Sequence, residues 1–195
     1  MPKQVDHHAR RLQLLDALWR ITRREGWDAI SLRNVAAEAG VSMGMVQHYF
    51  TTKDQMLRFA VEMMAEDTKQ RIGQRVAELP QPIAPRQLVQ TVLTEMIPDA
   101  GRRPDEAEGA GVWVRRFELA PDPNSPLHNG YDEVKGMISQ QILLVRAGKA
   151  DAERDADALI ALLDGLIYNI VTGHQSPDLA RAIMRAQLDY VFGRD

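Results

Sequence analysis

Between Met43 and His48 the chain gathers groups suited to the edges of DNA base pairs. The Gln47 amide can bond adenine N6 and N7 together, and the Met43 and Met45 methyls match the methyl of thymine. Gly44 leaves the backbone bare for a close approach, and the His48 ring adds a donor or an acceptor. Hydroxyls and an ammonium flank this stretch. Ser31, Ser42, Tyr49 and Lys53 suit phosphate oxygens, contacts that fix register without reading sequence. Other chemistries find little footing. There is no nucleophile–base motif, no metal-ligand spacing and no glycine-rich phosphate loop. The chain also has no cysteine, which excludes disulfides and thiolate metal sites and suits a reducing cytoplasm. His7 and His8 are adjacent, so on a helix they point to different faces and read as a solvated helix start rather than a metal pair. No enzyme activity, metal or cofactor is expected.

Two short helices must hold these residues. Ser31 is a natural N-cap. Gly40 ends the helix that follows, where a left-handed residue is wanted. Ser42 caps a second helix, Met43 to Phe50, which is too short to stand alone. Its inner face falls to Val46 and Phe50, with Met45 an alternative to Val46. A helix, a glycine turn and a short second helix form either a plain helical hairpin or a helix-turn-helix whose second helix enters the major groove.

The sequence Ala36-Ala37-Glu38-Ala39-Gly40-Val41-Ser42, followed by His48-Tyr49-Phe50 and Lys53, resembles the DNA-binding signature of the TetR family of transcription regulators. The resemblance runs from about Leu12 to Leu57. Gln47 stands where many members carry an aromatic, and Gln47-His48-Tyr49-Phe50 is closer to the BetI-like branch. The resemblance implies that Arg33 reaches a guanine or a phosphate. It also implies a ligand cavity in the C-terminal body and a homodimer.

Charge is distributed in keeping with this. Net charge is −3. Residues 1–53 carry 8 basic side chains against 5 acidic ones, a balance of +3, while 54–195 carry 16 against 22, a balance of −6. A basic head on an acidic body fits a DNA-facing module with a solvated second domain.

The rest of the chain reads as helix throughout, with no strand pattern or internal repeat. His7 to Glu25 places Leu12, Leu15, Leu18 and Trp19 on one side. A helix from Lys53 to about Leu79 opens with a Thr52-x-x-Gln55 capping box and is long enough to connect two domains. Pro80 to Pro85 is a loop, and Arg86 to Ile97 a helix. Pro104 opens a sixth helix in which Gly109 and Gly111 make the backbone easy to reshape. Further helices run from Ser125-Pro126 to about Ala147, from an Asp151 cap to about Gly173, and from Ser176-Pro177 to about Phe192. The second of these is apolar nearly all round, from Leu159 to Val171, and so needs cover on both sides.

The expected protein is all-α, with about nine helices. A three-helix helix-turn-helix domain occupies 1–53 and a helical ligand-binding and dimerisation domain 54–195. Met63, Met96, Trp113, Phe117, Tyr131, Ile138 and Tyr168 are the apolar and aromatic residues expected near the pocket that the resemblance implies. The helices near 152–173 and 177–192 are expected to pair with those of a twin. The partners are then double-stranded operator DNA, palindromic by the two-fold symmetry, a second copy of the chain and a small-molecule effector. The chain lacks an 18-residue apolar run, and MPKQVDHHARR lacks the apolar centre of a signal peptide, so a cytoplasmic repressor is expected. A regulator with no effector and a small helical enzyme remain the alternatives.

Overall fold

The computed structural model describes residues 7–99, 126–146 and 148–193, and the expected helix opening at Pro104 lies outside them. The described residues form eight α-helices, with no strand among them. They are α1 (His7–Glu25), α2 (Leu32–Ala39), α3 (Met43–Tyr49), α4 (Lys53–Ala77), α5 (Pro85–Glu95), α6 (Pro126–Val145), α7 (Lys149–Val171) and α8 (Pro177–Phe192). A single 3-10 turn, Trp27–Ala29, links α1 to α2. The chain divides into two compact units, with the changeover inside α4 between Val61 and Glu62.

In the first unit α1 packs on α2, and α2 on α3. Leu14, Leu15, Ala17, Leu18 and Ile21 of α1 are buried, as helical spacing requires. Leu12 is 38% exposed, and Leu14 takes the inward place expected of it. Val35, Ala36, Val46, Phe50, Met56 and Leu57 close the core from α2, α3 and the start of α4. Trp19 and Trp27 meet edge to face at 5.9 Å beside it. Phe50 lies with its ring 5.5 Å from that of Phe59, and the Arg11 guanidinium sits over both rings at 5.9 and 5.5 Å. Arg11 therefore ties α1, the end of α3 and the start of α4 together by cation–π attraction.

Charge clamps α2 to α1. Arg20 Nε and Arg24 Nη2 donate to the two oxygens of Glu38 at 2.8 and 2.9 Å. These hydrogen bonds, from Arg20 first and then Arg24, hold the Glu38 carboxyl below the ordinary glutamate value of 4.5. The unfolded chain therefore takes up this proton first as pH falls. The stability contributed by Glu38 is complete above the ordinary value and drains away below it. Glu38→Gln is expected to lower the melting temperature at pH 7 slightly and to flatten its fall between pH 5 and 3, read by circular dichroism.

In the second unit α6 runs along α7, and α5 and α8 pack against this pair. Val89, Leu93, Ile138, Ile142, Leu159, Leu163, Met184 and Leu188 form its core. Arg181 and Asp99, both buried, are joined at 3.0 Å, and Arg86 of α5 pairs with Asp189 of α8. The outward side of α7 is not covered by any of the described residues. Ala158, Ala161, Gly165 and Tyr168 are exposed there, opposite Leu159, Leu163 and Leu166. On α8 the exposed stripe is Leu179, Ala182, Ala186 and Tyr190, the last 79% exposed.

Candidate nucleic-acid interface

Local chemistry fixes the turn between α2 and α3. Ser31 caps α2, its Oγ accepting from Asn34 N at 3.1 Å. The Asn34 side chain donates back to the Ala29 carbonyl at 2.7 Å. Gly40 takes the left-handed conformation at φ 67°, ψ 33°. Val41 N then reaches the Ala36 carbonyl at 3.0 Å and Gly40 N the Ala37 carbonyl at 3.2 Å, the paired bonds of a Schellman ending. Ser42 caps α3, its Oγ accepting from Met45 N at 3.2 Å. At the far end Thr52 Oγ accepts from Gln55 N, and Gln55 Oε1 reaches back to Thr51 N at 2.7 Å. The capping box thus closes one residue earlier than its usual reciprocal bond.

These caps set the rotation of α3. Val46 and Phe50 are buried, as their apolar side chains demand. Met43, Gly44, Gln47 and His48 are exposed, forming the i, i+4 pairs 43/47 and 44/48 on one outer stripe, and Met45 is half-buried at its edge. Arg33 is exposed at the start of α2, and Lys53 is half-buried at the first position of α4. Tyr49 is only 8% exposed, because its ring is packed against His48 at 5.0 Å and against His7 at 5.7 Å. Of the candidate DNA residues, Met43, Gly44, Gln47 and His48 thus share the outer stripe of α3, and Tyr49 lies largely beneath the surface.

Gly44 has no role in internal packing. A Cβ built there would meet nothing closer than Ser42 Oγ at 3.9 Å. Glycine inside a helix costs about 1 kcal/mol relative to alanine, and no neighbour among the described residues requires it.

One contributor is invisible to local sequence patterns. His7, the first residue of α1, brings its ring to 6.0 Å from that of His48. His7, Arg10, Ser42, Met45, His48 and Tyr49 line an open concavity of about 560 Å³.

The residues expected around a ligand are less concentrated. Met63 and Met96 are half-buried and Ile138 is fully buried in the core. Tyr131 is exposed on α6, and Tyr168 stands 51% exposed on the outward stripe of α7. Helical phase explains this, since Tyr168 is seven residues from Ala161 and three from Gly165, both outward. Trp113 and Phe117 lie outside the described residues. A shallow concavity in this unit, lined by Asp132, Lys135, Gly136, Ser139, Gln140, Leu143 and Glu153, includes none of the seven. Among the described residues no group of three or more His, Cys, Asp or Glu is placed to hold a metal ion.

Comparison with known proteins bears on both parts. Residues 14–59 match the profile of bacterial regulatory proteins of the tetR family, and residues 85–193 match that of the C-terminal region of BetI-type transcriptional repressors. The chain is 32% identical over 173 residues to the HTH-type transcriptional regulator PksA of Bacillus subtilis, covering 85% of this chain and 80% of that one. It is 30% identical over 192 residues to the nicotine-responsive transcriptional repressor HdnoR of Paenarthrobacter nicotinovorans, covering 93% and 95%. A transcriptional regulator from Rhodococcus sp. Rha1 has a similar fold, with a TM-score of 0.75 at 23% identity over 93% of this chain and 95% of that one. A regulator from Saccharomonospora viridis, solved in complex with choline, superposes with a TM-score of 0.74 at 24% identity, covering 94% and 97%.

Proposed function

The chain belongs to the tetR family of bacterial regulatory proteins, and from that premise we propose that it is a homodimeric repressor that binds a palindromic operator and is released by a small organic molecule. The observation that carries the DNA-reading part is the split of α3. One face is locked into the core by Val46 and Phe50, and the other presents Met43, Gly44, Gln47 and His48 outward. In this reading Gln47 bonds an adenine edge, while Met43 and Met45 meet thymine methyls. Ser31, Ser42, Arg33 and Lys53 take phosphates. Gly44 is glycine because the DNA comes too close for a methyl group.

A second copy covers the outward stripes of α7 and α8. Small residues at 158, 161, 165, 182 and 186 let helices approach closely, and Leu179, Tyr168 and Tyr190 supply apolar area. Four such helices, two from each copy, form a bundle. Two-fold symmetry then sets the two readers about one helical turn of DNA apart.

The effector belongs to the unit beginning at Glu62. Its match to BetI-type repressors and the nicotine-responsive relative support a small organic ligand there. Met63 and Met96 line the pocket in this reading. Tyr131, Ile138 and Tyr168 are left to surface, core and dimer contact. The ligand acts through α4, the helix shared by both units, and its coupling to DNA amounts to about 1–3 kcal/mol. The site of action is the cytoplasm, where the DNA is. Among the described residues no helix is long and apolar enough to cross a membrane.

The test is fluorescence anisotropy with duplex DNA flanking the chain's own coding sequence, set against scrambled duplex, for the wild type and Gly44→Ala. The wild type binds the native duplex specifically, with affinity falling steeply as salt rises. Gly44→Ala gains up to about 1 kcal/mol in stability and binds DNA at least about tenfold more weakly, a loss of about 1.4 kcal/mol. A variant that is more stable and equally tight would contradict the close approach at Gly44.

A further inference from the structure

The side chain that opens the recognition helix is also the methionine most open to solvent. Met43 is 37% exposed at the first position of α3. Of the nine methionines, all but Met1 lie in the described residues, and among those Met43 alone is exposed. Met56 and Met184 are buried, and the rest, Met45 included, are half-buried. Met43 fills no core position, since the inner face of α3 belongs to Val46 and, at its end, Phe50. Beside it Gly44 carries no side chain, and a Cβ built there would meet nothing closer than Ser42 Oγ at 3.9 Å, so the approach on that side is open. One turn on, Gln47 is exposed on the same stripe, four residues from Met43. The chain has no cysteine, so no thiolate competes for an oxidant.

We propose that Met43 is an oxidation site through which a peroxide-class oxidant releases the chain from its operator, independently of the effector. Met43 has this role only if α3 reads DNA as proposed above. A sulfur lone pair attacks one oxygen of hydrogen peroxide, so that an S–O bond forms and the O–O bond breaks. The departing hydroxide takes the proton left on the transferred oxygen, and the products are methionine sulfoxide and water. Sulfur gives up two electrons and the peroxide accepts them. The thioether thereby becomes a polar group. Its oxygen faces the N7 and O4 acceptors of an adenine–thymine pair where a methyl group met a methyl group. An acceptor stripped of water and set against acceptors is costly. The same oxygen accepts from the Gln47 amide one turn away, which takes Gln47 from adenine. The phosphate contacts of Ser31, Ser42, Arg33 and Lys53 are untouched. The oxidised reader therefore keeps its grip on the DNA backbone and loses its discrimination of bases. A bound duplex covers Met43 and so slows its oxidation.

The full chain is treated with graded hydrogen peroxide and its sulfoxides are located by peptide mass spectrometry. Binding to its best duplex, enriched from a random library, is read by anisotropy beside scrambled duplex. Conversion of Met43 is expected to outpace that of Met56 and Met184 and to be slowed by the bound duplex. Affinity for the best duplex falls at least about tenfold as Met43 is converted, while the salt slope and the melting temperature stay as they were. Methionine sulfoxide reductase restores binding. Each variant is compared with itself before and after treatment. Met43→Leu loses no affinity, whereas Met45→Leu loses as much as the wild type. Unchanged affinity with Met43 fully converted would overturn the inference, as would an equal loss in Met43→Leu. In both cases the untreated chain still binds specifically and the DNA-reading function stands. An untreated chain that prefers no duplex would remove the inference and that function together.

Discussion

Gly165→Glu combined with Ala186→Glu is expected to give a helical monomer that binds its operator at least a hundredfold more weakly than the wild type. Neither change disturbs the isolated subunit. A Cβ at Gly165 meets nothing within 4 Å, and Ala186 is exposed on α8. In a dimer closed by the outward stripes of α7 and α8, each copy would bury two carboxylates with no partner. The penalty for burying an ion is several kcal/mol even after relaxation, enough to open an interface of ordinary affinity. Once the readers are separate, the second half-site no longer gains from the first, an advantage of about 10²–10⁴ in affinity. Sedimentation velocity gives the mass and anisotropy the affinity. A double variant that remains dimeric would move the interface elsewhere. A monomer with undiminished affinity would show that one reader suffices.

Phe50→Ala has the larger effect on folding. Phe50 is 2% exposed, caps the C-terminal end of α3, and carries the contacts to Arg11 and Phe59. Removing a buried phenylalanine ring costs about 3–5 kcal/mol, against about 5–15 kcal/mol for the whole stability of a domain. Because α3 has only seven residues, it holds its shape through this packing and has little stability of its own. The first unit is expected to melt about 15–25 °C lower, seen in the emission of Trp19 and Trp27, and specific DNA binding at 37 °C is lost. Leu179→Ala, a change at an exposed position of α8, leaves that transition in place. A Phe50→Ala chain that melts like the wild type would mean that the ring is not what fixes the recognition helix.

Features encoded within a few residues were legible in the sequence. Ser31, Ser42 and Ser176 are N-caps, and Gly40 is the left-handed C-cap, because each is decided by bonds to neighbours three to five positions away. The family signature lies in the same stretch. Offsets arose where two local signals competed. Asp151 reads as a cap, yet α7 begins at Lys149 after Gly148, whose φ is 110°, and Asp151 pairs with Arg154 inside the first turn. Pro85 reads as the end of a loop but serves as the first residue of α5, where a missing N–H costs nothing. The expected end of α4 at Leu79 falls back to Ala77.

The candidate ligand residues were chosen by type, and type does not carry helical phase. Ile138 belongs to the core and Tyr168 to the outward stripe for that reason. The approach of His7 to His48 was not legible, because it depends on how α1 crosses α3, 41 positions along the chain. No spacing rule connects residues so far apart.

The central claim is that two copies of this reader together recognise one two-fold DNA site. It is tested most directly by selecting from a random duplex library with the full chain at physiological salt and sequencing what is retained. The account predicts an inverted repeat whose half-site centres lie about 10 base pairs, or a multiple of that, apart. It also predicts that Gln47→Ala loses preference at one position in each half. Recovery of unrelated sequences, or of a single unrepeated half-site, would contradict it.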